Sequence, residues 1–579
     1  MDNLALARLF AEVGDLLEIK GENPFKIRAY RNASETVAHA GVRVADLDEA
    51  QLLAISGIGK DLAKKIREAA ETGRVQYHQE LLAEFPPTIL DLLALQGVGP
   101  MTVRLLYSEA GIRTFVDLEA AARDGRLTAL KGMGAKKQAL ILKAVDERRR
   151  HAGRHLLANA ADAAAAIVGH LREQAPEVDF ESVGSLRRGC DTCGDLDVLA
   201  IGGGPGLMNV FTEYRLVERV LGQGDTKSSV LLQGGVQADL RLVPAGSRGA
   251  AMQYFTGSKA HNIALRDRAL QRGWKLNEYG LFDEHGRAMA GDTEEGVYAA
   301  LGLSWVPPEL RENRGEIEAA AEGRLPRLIE RTELRGDLHM HTTTTDGKDD
   351  IESMARAARE LGYEYVAITD HSQALAMANG LDETRALGHA ARIREIGARL
   401  DGITLLAGIE CDIRQDGTLD LADDCLAQLD YVVASIHSGF GQDRETVTAR
   451  MLRAMECPWV DAIGHPTGRI LLRREPLPLD IEAVVNGAAA HGVALEINSQ
   501  IDRLDLGDVP ARLARERGVP LVIVSDAHSQ AALGVVRWGV QVARRAWAAP
   551  ADVLNTRSLG DLRASLRRHR GAGRAASTS

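Results

Sequence analysis

RGDLHMH at residues 335–341 is the first of seven short runs of one form, in which apolar residues lead to a polar residue at the end. YEYVAITDH (363–371), ITLLAGIE (403–410), LDYVVASIH (429–437), WVDAIGH (459–465), GVALEIN (492–498) and PLVIVSDAH (520–528) follow, with helical segments between them. Strands alternating with helices in this way predict βαβ units and a parallel sheet. In a β/α barrel the C-terminal strand ends converge on one mouth, where chemistry is built. His339 and His341 alternate on the first strand, so both leave the same face. Asp346 follows in the loop, His371, Glu410, His437 and His465 end the next four strands, and Asp526 and His528 end the seventh. Only the sixth, VALEIN, offers no obvious ligand. One histidine at a strand end is usually a satisfied structural group, but nine nitrogen and oxygen donors at one mouth read as a metal set. Lacking thiolates, that set suits Mn²⁺, Zn²⁺ or Fe²⁺ and hydrolytic chemistry.

Upstream, GDLDVLA (194–200) places Asp195 and Asp197 two apart in a strand, on one face. Adjacent carboxylates repel unless a cation lies between them, and Asp239 in QADLRLVP (237–244) is a third candidate. Three carboxylates on neighbouring strands can hold two Mg²⁺ or Mn²⁺ for an in-line phosphoryl displacement. Cys190 and Cys193 form a lone C-x-x-C with no second pair nearby, and read as two ordinary thiols.

Residues 1–150 read as short helices separated by glycine turns. ISGIGK (55–60), LQGVGP (95–100) and LKGMGA (130–135) each put a hydrophobic residue before Gly-x-Gly and a helix after it. Glycine C-caps account for many such turns singly. Three together predict helix-hairpin-helix contacts to DNA phosphates through Gly57, Gly59, Lys60, Gly97, Gly99, Gly132 and Gly134. Nothing in them reads a base, so binding would be sequence-independent. Arg67, Lys136 and Lys137 lie close by in sequence. Residues 151–175 look like one alanine-rich helix, and FESVGSLRRG looks strand-like.

The 579 residues are 45% hydrophobic and 26% charged, which excludes collagen-like and disordered classes. No run of eighteen apolar residues occurs, so no membrane is expected as a partner. Met1 to Leu17 carries Asp2, Glu12 and Asp15 in a helical pattern, unlike a secretory signal. Five cysteines, an odd and sparse count, fit a reducing cytoplasmic interior. The net charge of −11 argues against nucleic acid only on its face, because residues 1–154 hold 23 Lys+Arg against 21 Asp+Glu. No heptad repeat is present, so a monomer is expected.

GSLRRGCDTCGDLDVL (184–199) resembles the nucleotidyltransferase signature and, more narrowly, that of family X DNA polymerases. The resemblance continues through Asp239 and YFTGSKAHNIALR (254–266). It implies that Gly184, Ser185 and Arg188 hold the triphosphate, and that Asp195, Asp197 and Asp239 bind the metals. Tyr254 and Phe255 would wall the sugar pocket, Asn262 and Arg266 would face the nascent pair and template, and Gly257 would also belong to the nucleotide site. NPFKIRAYR (23–31) also matches, and Lys65, beside Lys64, falls where the family carries a Schiff-base lysine for 5′-deoxyribose phosphate lyase activity.

The C-terminal runs resemble the polymerase and histidinol phosphatase (PHP) domain, a distorted seven-stranded barrel with up to three divalent metals. Arg469 or Arg503 would steady its substrate. Taken together, the chain is similar to bacterial family X polymerases with a C-terminal PHP domain. That similarity implies gap filling in DNA repair on gapped or primer-template DNA with deoxynucleoside triphosphates. It also implies a Mn²⁺-dependent 3′→5′ exonuclease, abasic-site cleavage and removal of 3′-phosphates.

The expected fold is multidomain, α+β and α/β. Its parts are helix-hairpin-helix regions at 1–85 (lyase-like) and 86–152, a nucleotidyltransferase palm with a mixed sheet at 153–250, and a nucleotide-selecting subdomain at 251–315. A linker at 316–334, the PHP domain at 335–570 and a disordered tail at 571–579 complete it. Two other readings compete: a PHP small-molecule phosphatase with a vestigial polymerase region, and a non-catalytic DNA-binding scaffold.

Overall fold

The structure, a computed structural model, describes residues 3–38, 44–55, 57–86, 88–93, 95, 98–130, 132–151 and 153–566. Gly97 and the tail 571–579 lie outside the described residues. The chain forms two units, Met1–Ala152 and Gly153–Ser579.

Among its described residues the first unit is helical throughout. Its glycine turns repeat one geometry. Gly59 and Gly99 are extended N-caps (φ −88°, ψ 174° and φ −88°, ψ 175°) of helices Lys60–Thr72 and Pro100–Ala110. Gly57 and Gly132 take φ +92° and +82°, which favours glycine at both. The residues between the glycines, Ile58, Val98 and Met133, are buried and anchor the turns to the core.

The second unit begins with a five-stranded mixed sheet in the spatial order Asp179–Ser182, Asp195–Ile201, Gln237–Val243, Lys227–Leu232, Val217–Gln223. The Asp195 and Gln237 strands run parallel, and the register sets Asp197 opposite Asp239. Leu157–Gln174 is a helix with Leu157, Ile167 and Leu171 buried. The single helix expected over 151–175 is broken: Gly153 takes φ +73°, and His155–Leu156 pairs as a strand with Thr192–Cys193. The second half of FESVGSLRRG is a helical turn, Gly184–Arg187, rather than strand.

Glu294 forms ion pairs with Arg187 (2.6 Å) and with the fully buried Arg311 (2.7 Å). Burial alone would raise its carboxyl, but the two guanidinium groups hold it at about 2, below the usual 4.5. Its stabilising effect is therefore complete above pH 4.5 and lost as pH falls toward 2. Glu294→Gln strands a buried guanidinium and is expected to cost about 3–5 kcal/mol at neutral pH, read as a lower denaturation midpoint in urea.

The stretch 316–334, expected to be a linker, is packed rather than free. Helix Glu316–Ala321 buries Glu316, Ile317, Ala319 and Ala320. Glu316 accepts from the amides of Asn313 (2.7 Å) and Arg314 (2.6 Å) and bonds His261 Nδ1 at 2.7 Å. Its charge is spent inside the fold, which composition cannot reveal.

The barrel strands are Gly336–Asp337, Tyr365–Ile368, Thr404–Asp412, Tyr431–Ser435, Ala462–Ile463, Ala494–Asn498 and Leu521–Val524, neighbours in that order and all parallel. A parallel bridge between Met340 and Ala527 joins the first to the last. Helices on the outside bury the second face, so strands such as Tyr431–Ser435 are buried along their whole length.

Candidate functional site

The polar side chains meet at one mouth, although His339 and His341 lie just beyond the short strand Gly336–Asp337 rather than on it, and Glu410 lies inside Thr404–Asp412. Glu410, fully buried, is the centre. His371 Nδ1 lies 2.7 Å from it, His465 Nε2 3.1 Å, His437 Nε2 3.3 Å and His339 Nε2 3.5 Å. Asp526 bonds His341 Nε2 at 3.1 Å, and Asp346 lies 3.4 Å from both His371 and His528. Three overlapping groups have metal-ligand spacing: His341, Asp346, His371 and His528; His339, His341 and Asp526; and His371, Glu410 and His437.

The donors fit divalent ions. Buried ring nitrogens His339 Nε2, His341 Nδ1 and His465 Nδ1 have no hydrogen-bond partner. The first two face carboxylates at 3.5 Å and 3.9 Å, too far for a hydrogen bond. Burial disfavours charged imidazoles, yet the Glu410 carboxylate pushes His371 up to about 10 and His437 to about 9. Burial and the neighbouring His528 and His371 push His341 down to about 4.

A ligating histidine must be neutral, so metal loading displaces the protons on His371 and His437. Mn²⁺ uptake at neutral pH is expected to release protons, and affinity to rise as pH climbs toward 9. Titration calorimetry in two buffers of unlike ionisation enthalpy checks this, and equal heats would contradict it.

The sixth strand supplies what the sequence reading missed. Glu496 accepts from His339 Nδ1 at 2.7 Å and from the amide of His465 at 3.1 Å. Asn498 donates to Asp526 at 2.8 Å, and Asp412 bonds His437 Nδ1 at 2.9 Å. Such outer partners fix the tautomer and aim of a ligand. Glu496 and Asn498 alternate on VALEIN as His339 and His341 alternate in RGDLHMH, and that period was the available signal. Arg469, expected to steady substrate, instead pairs with Asp191 at 2.8 Å and donates to the carbonyl of Arg503 at 2.8 Å.

On the five-stranded sheet, Asp197 is pushed up to about 6 by burial and by the charges of Asp195 and Asp239. Asp239 is held below the usual range: burial opposes this, but hydrogen bonds from Lys227 (2.7 Å), Gln237 (3.0 Å) and Ser229 prevail. Among the described residues these three carboxylates do not form a group with metal-ligand spacing, and Lys227 holds Asp239, so an ion here would have to displace that ammonium. Gly184 takes φ +67°, and a Cβ there would lie 2.4 Å from Asp197 Oδ2, so only glycine lets the Ser185 turn approach the carboxylate.

Arg188 donates to the carbonyl of Thr256 at 2.6 Å, and its guanidinium lies beside Gly257 (φ +72°). Tyr254 and Phe255 pack edge to face at 5.1 Å, with Arg241 over the Phe255 ring at 4.7 Å. Asn262 donates to the carbonyl of Tyr254 at 2.7 Å, and Arg266 to that of Asn262 at 3.3 Å.

Family models match the chain in segments: a helix-hairpin-helix domain over residues 1–75, a SAM-like helix-hairpin-helix tandem over 89–147, the DNA polymerase beta thumb over 251–312 and the PHP domain over 337–500. The DNA polymerase/3′-5′ exonuclease PolX of Bacillus subtilis (strain 168) is 37% identical over 568 residues, covering 97% of this chain and 99% of that protein. The chain belongs to the family X DNA polymerases with a PHP domain. Relatives that match only part of the chain are also found. A protein named "Probable phosphatase" from Shewanella sp. (strain ANA-3) is 33% identical over 208 residues, 34% of this chain and 78% of that protein. One of the same description from Thermoanaerobacter sp. (strain X514) is 30% identical over 231 residues, 38% of this chain and 89% of that protein.

In this family X polymerase, Lys65 lies over the rings of Tyr77 (5.1 Å) and Tyr30 (6.0 Å) and donates to Asp61 at 2.5 Å. Lys64, expected to help, is exposed. At the turns, a Cβ on Gly59, Gly99 or Gly134 would meet nothing within 4 Å, so a phosphate can approach the amides there. Lys60 is exposed, as phosphate neutralisation requires, while Lys137 donates to Thr102 at 3.0 Å. No helix among the described residues is long and apolar enough to cross a membrane.

Proposed function

We propose that the protein extends primer 3′ ends at the carboxylate sheet, trims 3′ ends at the barrel mouth, and does both in DNA repair as a cytoplasmic monomer acting on gaps. The observation that carries the reading is the register of Asp197 against Asp239 on parallel strands beside the Gly184 turn. A second donor set at the barrel lies on the same chain.

In this reading Asp195, Asp197 and Asp239 hold Mg²⁺ or Mn²⁺, and Gly184, Ser185 and Arg188 take the triphosphate of a deoxynucleotide. Tyr254 and Phe255 wall the sugar, Asn262 and Arg266 face the bases, and Gly257 also belongs to the nucleotide site. His339, His341, Asp346, His371, Glu410, His437, His465, Asp526 and His528 hold up to three ions of Mn²⁺, Zn²⁺ or Fe²⁺. Ions bound at either site supply charge neutralisation and an activated oxygen nucleophile. The chain itself positions the ends: hairpin amides at Gly57, Gly59, Gly99, Gly132 and Gly134 grip the backbone, and the packed barrel around the buried His339, His341 and Glu410 keeps bulk water from these ligands. Abasic-site cleavage and removal of 3′-phosphates need only the same barrel chemistry on other ends. Removal of a 5′-deoxyribose phosphate at Lys65 requires Asp61 to move away first.

The relatives named probable phosphatases, which match about a third of the chain, favour a second reading, a small-molecule phosphatase. Template-dependent incorporation into a gapped duplex, measured beside phosphate release from histidinol phosphate, separates the two. Incorporation that follows the template supports a polymerase. Phosphate release without incorporation sinks it.

A further inference from the structure

The barrel reaches into the neighbourhood of Arg188. Arg545, on barrel helix Val536–Arg545, is 7% exposed and uses both terminal nitrogens. Nη1 donates to the main-chain oxygen of Arg188 (2.8 Å) and to Glu312 Oε1 (3.0 Å). Nη2 donates to Asp508 (2.8 Å), which also takes Arg314 at 2.9 Å. The same Glu312 oxygen accepts from Arg188 Nε at 3.0 Å, so one carboxylate links the two arginines. Three residues on, Asp191 pairs at 2.8 Å with Arg469, which follows the ligand His465 by four residues. Between these anchors, Gly189 takes φ +65°, and a Cβ on it would lie 2.2 Å from Gln541 Nε2, so the loop lies against the barrel helix.

The segment from Arg188 to Asp191, which joins the Gly184–Arg187 turn to the strand at Thr192–Cys193, is thus clasped at two points by charged barrel groups, one nearly buried. A guanidinium that must meet a phosphate needs a fixed backbone, and misplacement by an ångström costs heavily in rate. Arg188 Nε and Nη1 are themselves held by Glu312 and the Thr256 carbonyl, so the orientation of the guanidinium follows that of this segment.

We propose that Arg545 and Arg469 are positioning residues for nucleotide incorporation, so that the barrel serves the polymerase site as a scaffold in addition to its own chemistry. The proposal rests on the nucleotide role assigned to Arg188, and the experiment separates the two.

Single-turnover filling of a one-nucleotide gap by the full chain would be followed against nucleotide concentration for Arg545→Met, Asp191→Asn, Arg188→Ala and Arg545→Met/Arg188→Ala. Trimming of 3′ ends by the same preparations reports an intact barrel. Arg545→Met is expected to weaken apparent nucleotide affinity by about tenfold, with a smaller fall in maximal rate and trimming unchanged. Added to Arg188→Ala it should cost nothing more, because it acts through that side chain. Unchanged affinity in Arg545→Met, or a loss that multiplies with that of Arg188→Ala, would overturn the proposal. If Arg545→Met also loses trimming, Asp191→Asn decides: weaker affinity with intact trimming supports the clasp, and unchanged affinity refutes it. If Arg188→Ala leaves affinity unchanged, the nucleotide role falls and the clasp with it.

Discussion

Asp197→Asn is expected to lower template-directed extension by at least about 10³-fold while 3′ trimming stays at the wild-type rate. The side chain keeps its shape but loses the charge that, with Asp195 and Asp239, gives the sheet its pull on a divalent ion. The same change should raise the melting temperature in chelator. Burial and two neighbouring carboxylates push Asp197 up to about 6, above its ordinary 3.8. Its ionised form therefore costs stability at neutral pH; the cost is full above pH 6, shrinks as pH falls below 6 and is gone below 3.8. A variant less active yet more stable is the signature of a site strained for function. Extension within tenfold of wild type would remove Asp197 from the assigned role.

Glu410→Gln is expected to have the converse effect: trimming falls by about 10³-fold and extension is unchanged. Glu410 lies within 3.5 Å of His371, His465, His437 and His339 at once, so no other single change disturbs as many of the barrel donors. The amide cannot supply the charge that keeps His371 and His437 well above the usual histidine range. Metal content measured on purified protein should fall by at least one ion per chain. Full metal content with trimming intact would mean that Glu410 is only a structural acid.

The barrel was legible because its strands are buried on both faces and therefore read as short apolar runs, each closed by a polar residue. Glu496 was not, because a lone acid in VALEIN looks like an exception until its partner His339, 157 residues away, is known. The packing of the stretch 316–334 was hidden for a similar reason. Charge in sequence suggests solvent, yet Glu316 meets His261 across 55 residues and lies in the core. At the sheet, alternation alone places Asp195 and Asp197 on one face. The approach of Gly184 to Asp197 depends on a left-handed turn whose necessity appears only in three dimensions. The clasp by Arg545 and Arg469 is least legible of all, since one helix and one loop reach it from 357 and 278 residues downstream of Arg188 and Asp191.

The most direct test of two separate sites on one chain uses a gapped duplex with a labelled primer, in Mg²⁺ and in Mn²⁺, with and without nucleotides. Wild type would run beside Asp239→Ala and His341→Ala. Asp239→Ala should lose extension and keep trimming, and His341→Ala should do the reverse. Loss of both activities in Asp239→Ala, with His341→Ala like wild type, would contradict the account and leave the barrel a structural element.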